Sequence, residues 1–501
     1  MDWVATGIFI GLFIFVTLLG FAAARWRAGD LNQLHEWSLG GRRFGTFVTW
    51  FLLGGDLYTA YTFIAVPAFM YGKGAMGFFA IPYTILIYPI LYLVFPRLWT
   101  VAHRQGYTTA ADFVRGRFGN RWLSLAVAIT GLLATMPYIA LQLVGMEVVI
   151  GALGFHGTGL WGDMPLIIAF LILAAFTYTS GLRAPAMIAV VKDLLIYITV
   201  FAAAIIVPMH LGGFGQIFAH IPSQKLLLAT PGPDSLGDWS VYATLALGSA
   251  IALFLYPHSL TGVLSASSPD AIRRNAAILP AYSFTLALLA LLGFMAIAVG
   301  LTVSPQLSVP ELFKASFPSW FVGVAFAAIA IGALVPAAIM SIATAAIFTR
   351  NVWREFLRPN CTDAEEAGIA KFVSMLVKLG ALVFIIFMPK DYAIQLQLLG
   401  GVWIIQTAPP IFLGLYSRFF RSWPLLAGWA VGIVSGTWMV AETGFKGATY
   451  GLHLGSWTIP GYAAVYALIL NIAASTLFSA IFALKGPEHT QDLSVLEEET
   501  A

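Results

Sequence analysis

Charge is scarce in this chain. Asp, Glu, Lys and Arg make up 10% of its 501 residues, where ordinary soluble domains carry about 25%. That shortage excludes a soluble globular protein of ordinary make-up. The net charge of +3 gives no footprint for nucleic acid. Cysteine is nearly absent: Cys361 stands alone, so neither an internal disulfide nor a cysteine-based metal cluster can form. The phosphate-binding pattern GxxxxGK[ST] is missing, and with it nucleotide hydrolysis as an energy source. HExxH, paired intramembrane aspartates and a Ser–His dyad are missing too, which argues against an intramembrane enzyme. No loop is long enough for a soluble output domain, which argues against a membrane sensor.

Apolar residues are abundant, at 59% of the chain. They fall into thirteen segments: 4–24, 45–70, 75–97, 122–152, 163–180, 184–210, 239–266, 276–302, 320–348, 370–388, 393–415, 422–441 and 459–484. These are called segments one to thirteen below. Their lengths suit helices crossing a bilayer, so the chain reads as an all-α polytopic membrane protein. The loops at 25–43, 97–121, 183, 273–274, 350–371 and 418–421, with Lys485, hold nineteen of the 26 Lys and Arg. The alternate loops hold five: Lys73, Lys225, Lys314, Lys390 and Lys446. By the positive-inside rule the N-terminus lies outside and the C-terminus in the cytoplasm. The start, MDWVATGIF, lacks a basic region and a cleavage site, so segment one reads as retained.

Few charges lie inside the segments: Asp56, Glu147, Lys192, Asp193 and Lys378. Such residues are functional candidates by default. Glu147 lies near the outer end of its segment and reads as snorkelling, and Lys378 either snorkels or pairs structurally. Asp56 follows Gly54 and Gly55 and precedes Tyr58, Thr59, Tyr61 and Thr62, with Pro67 beyond. Glycines and threonines weaken a helix there, so segment two reads as opening near the midplane. Segment seven carries Tyr256, Pro257 and His258, a second candidate break. Gln142 on segment four, and Gln395, Gln397, Trp403 and Gln406 on segment eleven, either line a polar cavity or hold helices together.

GYTTAADFVRGRFG (106–119), GLRAPAMIAVVKD (181–193), YPHSLTGVLSAS (256–267) and AAIMSIATAAIFTRNVW (337–353) together resemble the sodium:solute symporter family. SLGGRRFGTFVTWFLLGGDLYTAYTF and the VKD triplet resemble its monocarboxylate-permease branch. The resemblance implies a LeuT-type fold of two inverted five-helix repeats, each opened by a broken helix. The chain then divides into an extra helix and loop (1–44), repeat one (45–210), repeat two (211–416), two further helices (417–485) and a cytoplasmic tail (486–501). The expected activity is symport of lactate, pyruvate and similar acids by alternating access in the inner membrane. No organic cofactor and no obligate protein partner are implied. Acetate, amino acids and sugars remain open as substrates, and a sodium-coupled symporter of another solute is the alternative.

Arginines lie in loops or at segment ends, so hydroxyls, amides and freed backbone N–H groups must meet a substrate carboxylate. The candidates are Thr59, Tyr61, Thr62, Gln142, Tyr256 and His258, with Phe63 and Trp403 as apolar neighbours. The resemblance places a sodium ion on the carbonyls of Gly55, Tyr58 and Ala338 and the Ser341 hydroxyl. The second hydroxyl position falls on Ile342, which offers no side-chain oxygen; Thr344 is the substitute. Lys192 stands where the family commonly has glutamine. Helical rise puts Lys192, Ser341 and Gly55 about 12, 10 and 15 Å from the cytoplasmic ends of their segments. The expectation is therefore that the Lys192 ammonium takes the cation position, offsets Asp56 and carries a proton, with H+ favoured over Na+ as the coupling ion.

Overall fold

The computed structural model describes residues 2–26, 29–155, 160–387 and 393–483. The acidic tail, Lys390 and Lys485 lie outside them. Each of the thirteen segments is helical over most of its described residues. Among the described residues nine helices are long and apolar enough to cross a membrane, or ten with Gly237–Leu253 and Pro257–Leu264 taken as one bent span. Thr46–Leu57 and Met164–Ser180 are apolar but shorter. Length and apolarity thus account for nine or ten crossings rather than thirteen.

Local chemistry sets the helix ends. Asn120 Oδ1 accepts from the amides of Trp122 (2.9 Å) and Leu123 (3.2 Å) and so opens Arg121–Ala152. Thr109 Oγ1 accepts from the Asp112 amide at 3.0 Å to open Ala110–Phe118, and Gly119 closes that helix with φ +66°. Ser268 caps Pro269–Ile278, with proline at the first helical position.

The molecule is built around Ser319–Phe348, which is buried along almost its whole length. Its alanines and glycines let Trp3–Ala22, Arg121–Ala152, Arg183–His210, Pro257–Leu264 and Asp363–Phe387 pack against it. Small residues permit such close approach where no hydrophobic force separates helix from lipid.

The basic loops meet one another at one end of the bundle. Arg43 reaches Glu36 at 2.7 Å and Arg183 pairs with the same carboxylate. Arg115 reaches Glu355 at 3.0 Å, and Arg350 reaches Asp112 at 3.6 Å and Glu366 at 3.3 Å. Alternate loops meet too: Lys225 Nζ donates to the Tyr71 carbonyl at 2.7 Å, and Tyr71 OH to Leu301 O at 2.6 Å.

The all-helical expectation has one exception. Thr449–Leu454 and Trp457–Tyr462 pair as an antiparallel hairpin, and the last helix begins only at Ala463. Residues 459–462, read as the start of segment thirteen, are strand. Gly455, at φ +65°, supplies the turn conformation that other residues adopt at a cost.

Segment two is broken as its glycines and threonines suggest. Thr46–Leu57 ends at Tyr58, whose backbone is extended (φ −92°, ψ 93°), and a wide helical turn resumes at Tyr61–Ala65. Segment four passes close by: a Cβ on Gly145 would stand 2.4 Å from the Ala60 methyl. Gly145→Ala must therefore displace the break. The expected result is an uptake rate lower by about tenfold or more at equal membrane abundance, measured as initial rate per folded transporter.

Candidate functional site

Opening a helix frees backbone groups that need partners. At this break most partners are side chains. Gln142 Oε1 accepts from the Ala60 amide (3.0 Å), and its Nε2 donates to Tyr138 O (3.3 Å). Thr59 Oγ1 accepts from the Tyr61 amide at 2.9 Å. Thr62 Oγ1 accepts from the Thr59 amide (2.9 Å) and donates to the Thr59 carbonyl (2.8 Å). Lys192 Nζ, fully buried, donates to the carbonyls of Gly55 (2.5 Å) and Tyr58 (3.0 Å).

Segment seven is bent by 49° between Gly237–Leu253 and Pro257–Leu264. Tyr256 lies in the break, and its hydroxyl donates to Gln397 O at 3.0 Å. Pro257, His258 and Ser259 form the first turn of the second half. Asp56 faces that turn. Its Oδ2 accepts from Ser259 Oγ at 2.5 Å, and its Oδ1 lies 3.6 Å from His258 Nε2. A helix N-terminus favours an anion there. The rings of Tyr138, Tyr256 and His258 pack mutually, each pair 5.3 Å apart.

The pairing of charges differs from the sequence expectation. Lys192 makes no ion pair with Asp56, although its ammonium still feels that carboxylate's charge. Its salt bridge, at 3.0 Å, is with the neighbouring Asp193. Asp193 also accepts from Tyr282 OH at 2.5 Å. Two separate buried units result, Lys192–Asp193 and Asp56–Ser259–His258. Ser259 and Tyr282 are absent from the sequence-based candidates. The signal for Ser259 was its place two residues after Pro257, in the first turn of a half-helix.

The other candidates are placed as follows. Ala338 O accepts from Ser341 Oγ at 2.8 Å, and Ser341 Oγ accepts from Ser374 Oγ at 3.3 Å. Thr344 Oγ1 is buried without a partner. Gly55 O, Tyr58 O, Ala338 O and Ser341 Oγ thus each already accept a hydrogen bond, and Ile342 has no side-chain oxygen to add. Trp403 belongs elsewhere: its Nε1 donates to Thr437 in Ser422–Glu442 at 3.1 Å. Lys378 does not snorkel; it is buried, and its Nζ donates to Ser374 Oγ at 2.8 Å.

Buried polar atoms without a hydrogen-bond partner are costly and call for a water, an ion or a ligand. Tyr61 OH, both nitrogens of His258, Asp56 Oδ1 and Gln397 Oε1 are such atoms. They belong to the two breaks and to the residue that receives the Tyr256 hydroxyl. Thr59, Thr62, Gln142 and Tyr256 are already engaged.

Two broken helices that meet over buried, unsatisfied polar groups define a secondary transporter rather than an enzyme. A profile of the sodium:solute symporter family matches residues 37–432. The chain belongs to that family. It is 52% identical over 489 residues to a monocarboxylate transport permease protein of Rhizobium johnstonii, covering 96% of this chain and 98% of that one. It is 34% identical to the uncharacterized symporter YodF of Bacillus subtilis, covering 88% of each. The fold is similar to that of a Na+-coupled sialic acid symporter in a substrate-bound outward-open state. The TM-score is 0.75 at 15% identity, covering 96% of this chain and 98% of that one. The protein is thus an integral membrane transporter of the LeuT-type architecture.

Proposed function

We propose that the chain imports short monocarboxylates such as lactate and pyruvate by alternating access, driven by H+ in place of Na+. Residues 45–210 and 211–416 serve as the two inverted repeats, with the N-terminus outside and the C-terminus in the cytoplasm. The observation that carries the coupling is the Lys192 ammonium on the carbonyls of Gly55 and Tyr58. Those are the oxygens the family resemblance gives to sodium. An amine whose contact with water alternates between the two sides can load and release a proton.

The substrate class draws support from the name of the 52% identical relative. Tyr61 OH and the His258 ring donate to the carboxylate, and buried Phe63 faces a short apolar tail. His258 lies 3.6 Å from Asp56, so an imidazolium there serves two anions at once. Thr59, Thr62, Gln142 and Tyr256 hold the breaks in shape. Sodium coupling is the second reading, supported by the unpartnered Thr344 hydroxyl and the Na+-coupled structural neighbour.

Competition tests the substrate class. Excess unlabelled pyruvate or lactate is expected to abolish uptake of labelled lactate into proteoliposomes, while proline and glucose leave it unchanged. Displacement by proline or glucose, with pyruvate inert, would contradict the assignment.

A further inference from the structure

Lys378 on Asp363–Phe387 is a second fully buried lysine that the proposed mechanism does not use. Its surroundings are apolar: Phe170, Leu171, Met375 and Leu382 line a small cavity of about 60 Å3 beside it. It forms no ion pair among the described residues. Its one hydrogen bond starts a directed chain. Lys378 Nζ donates to Ser374 Oγ (2.8 Å), Ser374 to Ser341 (3.3 Å), and Ser341 to the Ala338 carbonyl (2.8 Å).

An ammonium has donors only. It donates to Ser374, whose own proton goes to Ser341, and the Ser341 proton goes to Ala338, so the chain of donors runs one way from the lysine. Two of its members are the oxygens on segment nine that a sodium ion of this family would need. Each already takes part in a hydrogen bond, and a lysine stands two hydrogen bonds behind Ser341 and three behind Ala338. Resting on the reading that Lys192 takes the cation position from segments two and six, we infer that Lys378 closes the segment-nine half of the same site. It is a specificity residue that keeps sodium off Ala338 and Ser341. The chain then carries two built-in cations, one against each half of the metal site, and removing Lys192 alone does not make the protein sodium-binding.

The test compares two purified full-length variants in detergent. Lys192→Gln/Ile342→Ser removes the first lysine and supplies the missing hydroxyl. The second variant adds Lys378→Met. Binding of radioactive sodium and sodium-dependent thermal stabilisation are read at fixed ionic strength. The half-saturating sodium concentration is expected to fall by about tenfold or more on adding Lys378→Met, as removal of a like charge a few ångströms away requires. Equal affinity in both variants, or binding in neither, would overturn the inference. If the Lys378→Met variant does not fold, Lys378→Gln instead removes the charge while keeping a donor to Ser374. The expected and contrary results are the same. Both variants lack Lys192, so this outcome is separate from whether Lys192 carries the coupling proton, which is read by pH-driven uptake in Lys192→Gln alone.

Discussion

Lys192→Met is expected to abolish accumulation driven by a pH gradient while leaving substrate exchange measurable. A gradient of one pH unit is worth about 1.4 kcal/mol and supports about tenfold accumulation for one coupled proton. Without the amine the accumulation ratio falls to about 1. The variant also leaves Asp193 buried without its partner at 3.0 Å. Removing one member of a buried pair typically costs about 3–5 kcal/mol, whereas removing both is often close to neutral. Lys192→Met should therefore lower the thermal midpoint, and Lys192→Met/Asp193→Asn should recover much of it. Only the stability returns in the double variant; the coupling does not. A structural role for Lys192 predicts the opposite, with stability and gradient-driven uptake recovering together. Uptake against proteoliposome pH gradients and thermal melts of the same preparations decide between them.

Asp56→Asn is expected to lower uptake by about a hundredfold or more with only a small change in thermal midpoint. Asparagine retains a partner for Ser259 Oγ, which now donates to Asp56 Oδ2 at 2.5 Å, so the contact with the half-helix survives. What is lost is the charge beside His258, which lies 3.6 Å from Oδ1. A neutral amide no longer favours the imidazolium that would meet the substrate carboxylate. His258→Gln should weaken uptake comparably. The double variant should be no worse than about the poorer single one, because both remove the same interaction. Near-normal uptake by well-folded Asp56→Asn would instead make the carboxylate a structural cap for the half-helix. Initial rates of labelled lactate uptake, normalised to folded protein, provide the measurement.

The two breaks were legible because Gly54–Gly55 and Pro257 are local signals, and local signals survive the loss of tertiary context. The position of Lys192 was legible for another reason. The family resemblance put a cation on the carbonyls of Gly55 and Tyr58, helical rise put Lys192 at a similar depth, and its ammonium donates to both carbonyls. The partner of Asp56 was not legible. The reading matched charge to charge, but the carboxylate is met by a serine, a histidine and a helix N-terminus on a segment 203 residues away. Gln142, Thr59 and Thr62 were assigned to a substrate because polar groups at a break look like ligands. The break's own amides claim them first. Trp403 failed for a simpler reason: a sequence does not say which face of segment eleven turns toward Thr437. For Lys378 the reading left snorkelling and structural pairing open, and its depth alone could not choose between them. The Ser374–Ser341 chain that holds it inward involves two separate segments and has no sequence signature.

The coupling ion is the central claim, and one measurement bears on it directly. Wild-type protein in proteoliposomes, in buffers free of sodium, is given an acidic exterior and labelled lactate. Proposed proton coupling through Lys192 predicts accumulation above the external concentration that collapses with a protonophore and is absent in Lys192→Gln. Uptake that ignores the pH gradient and appears only when sodium is added outside would contradict it.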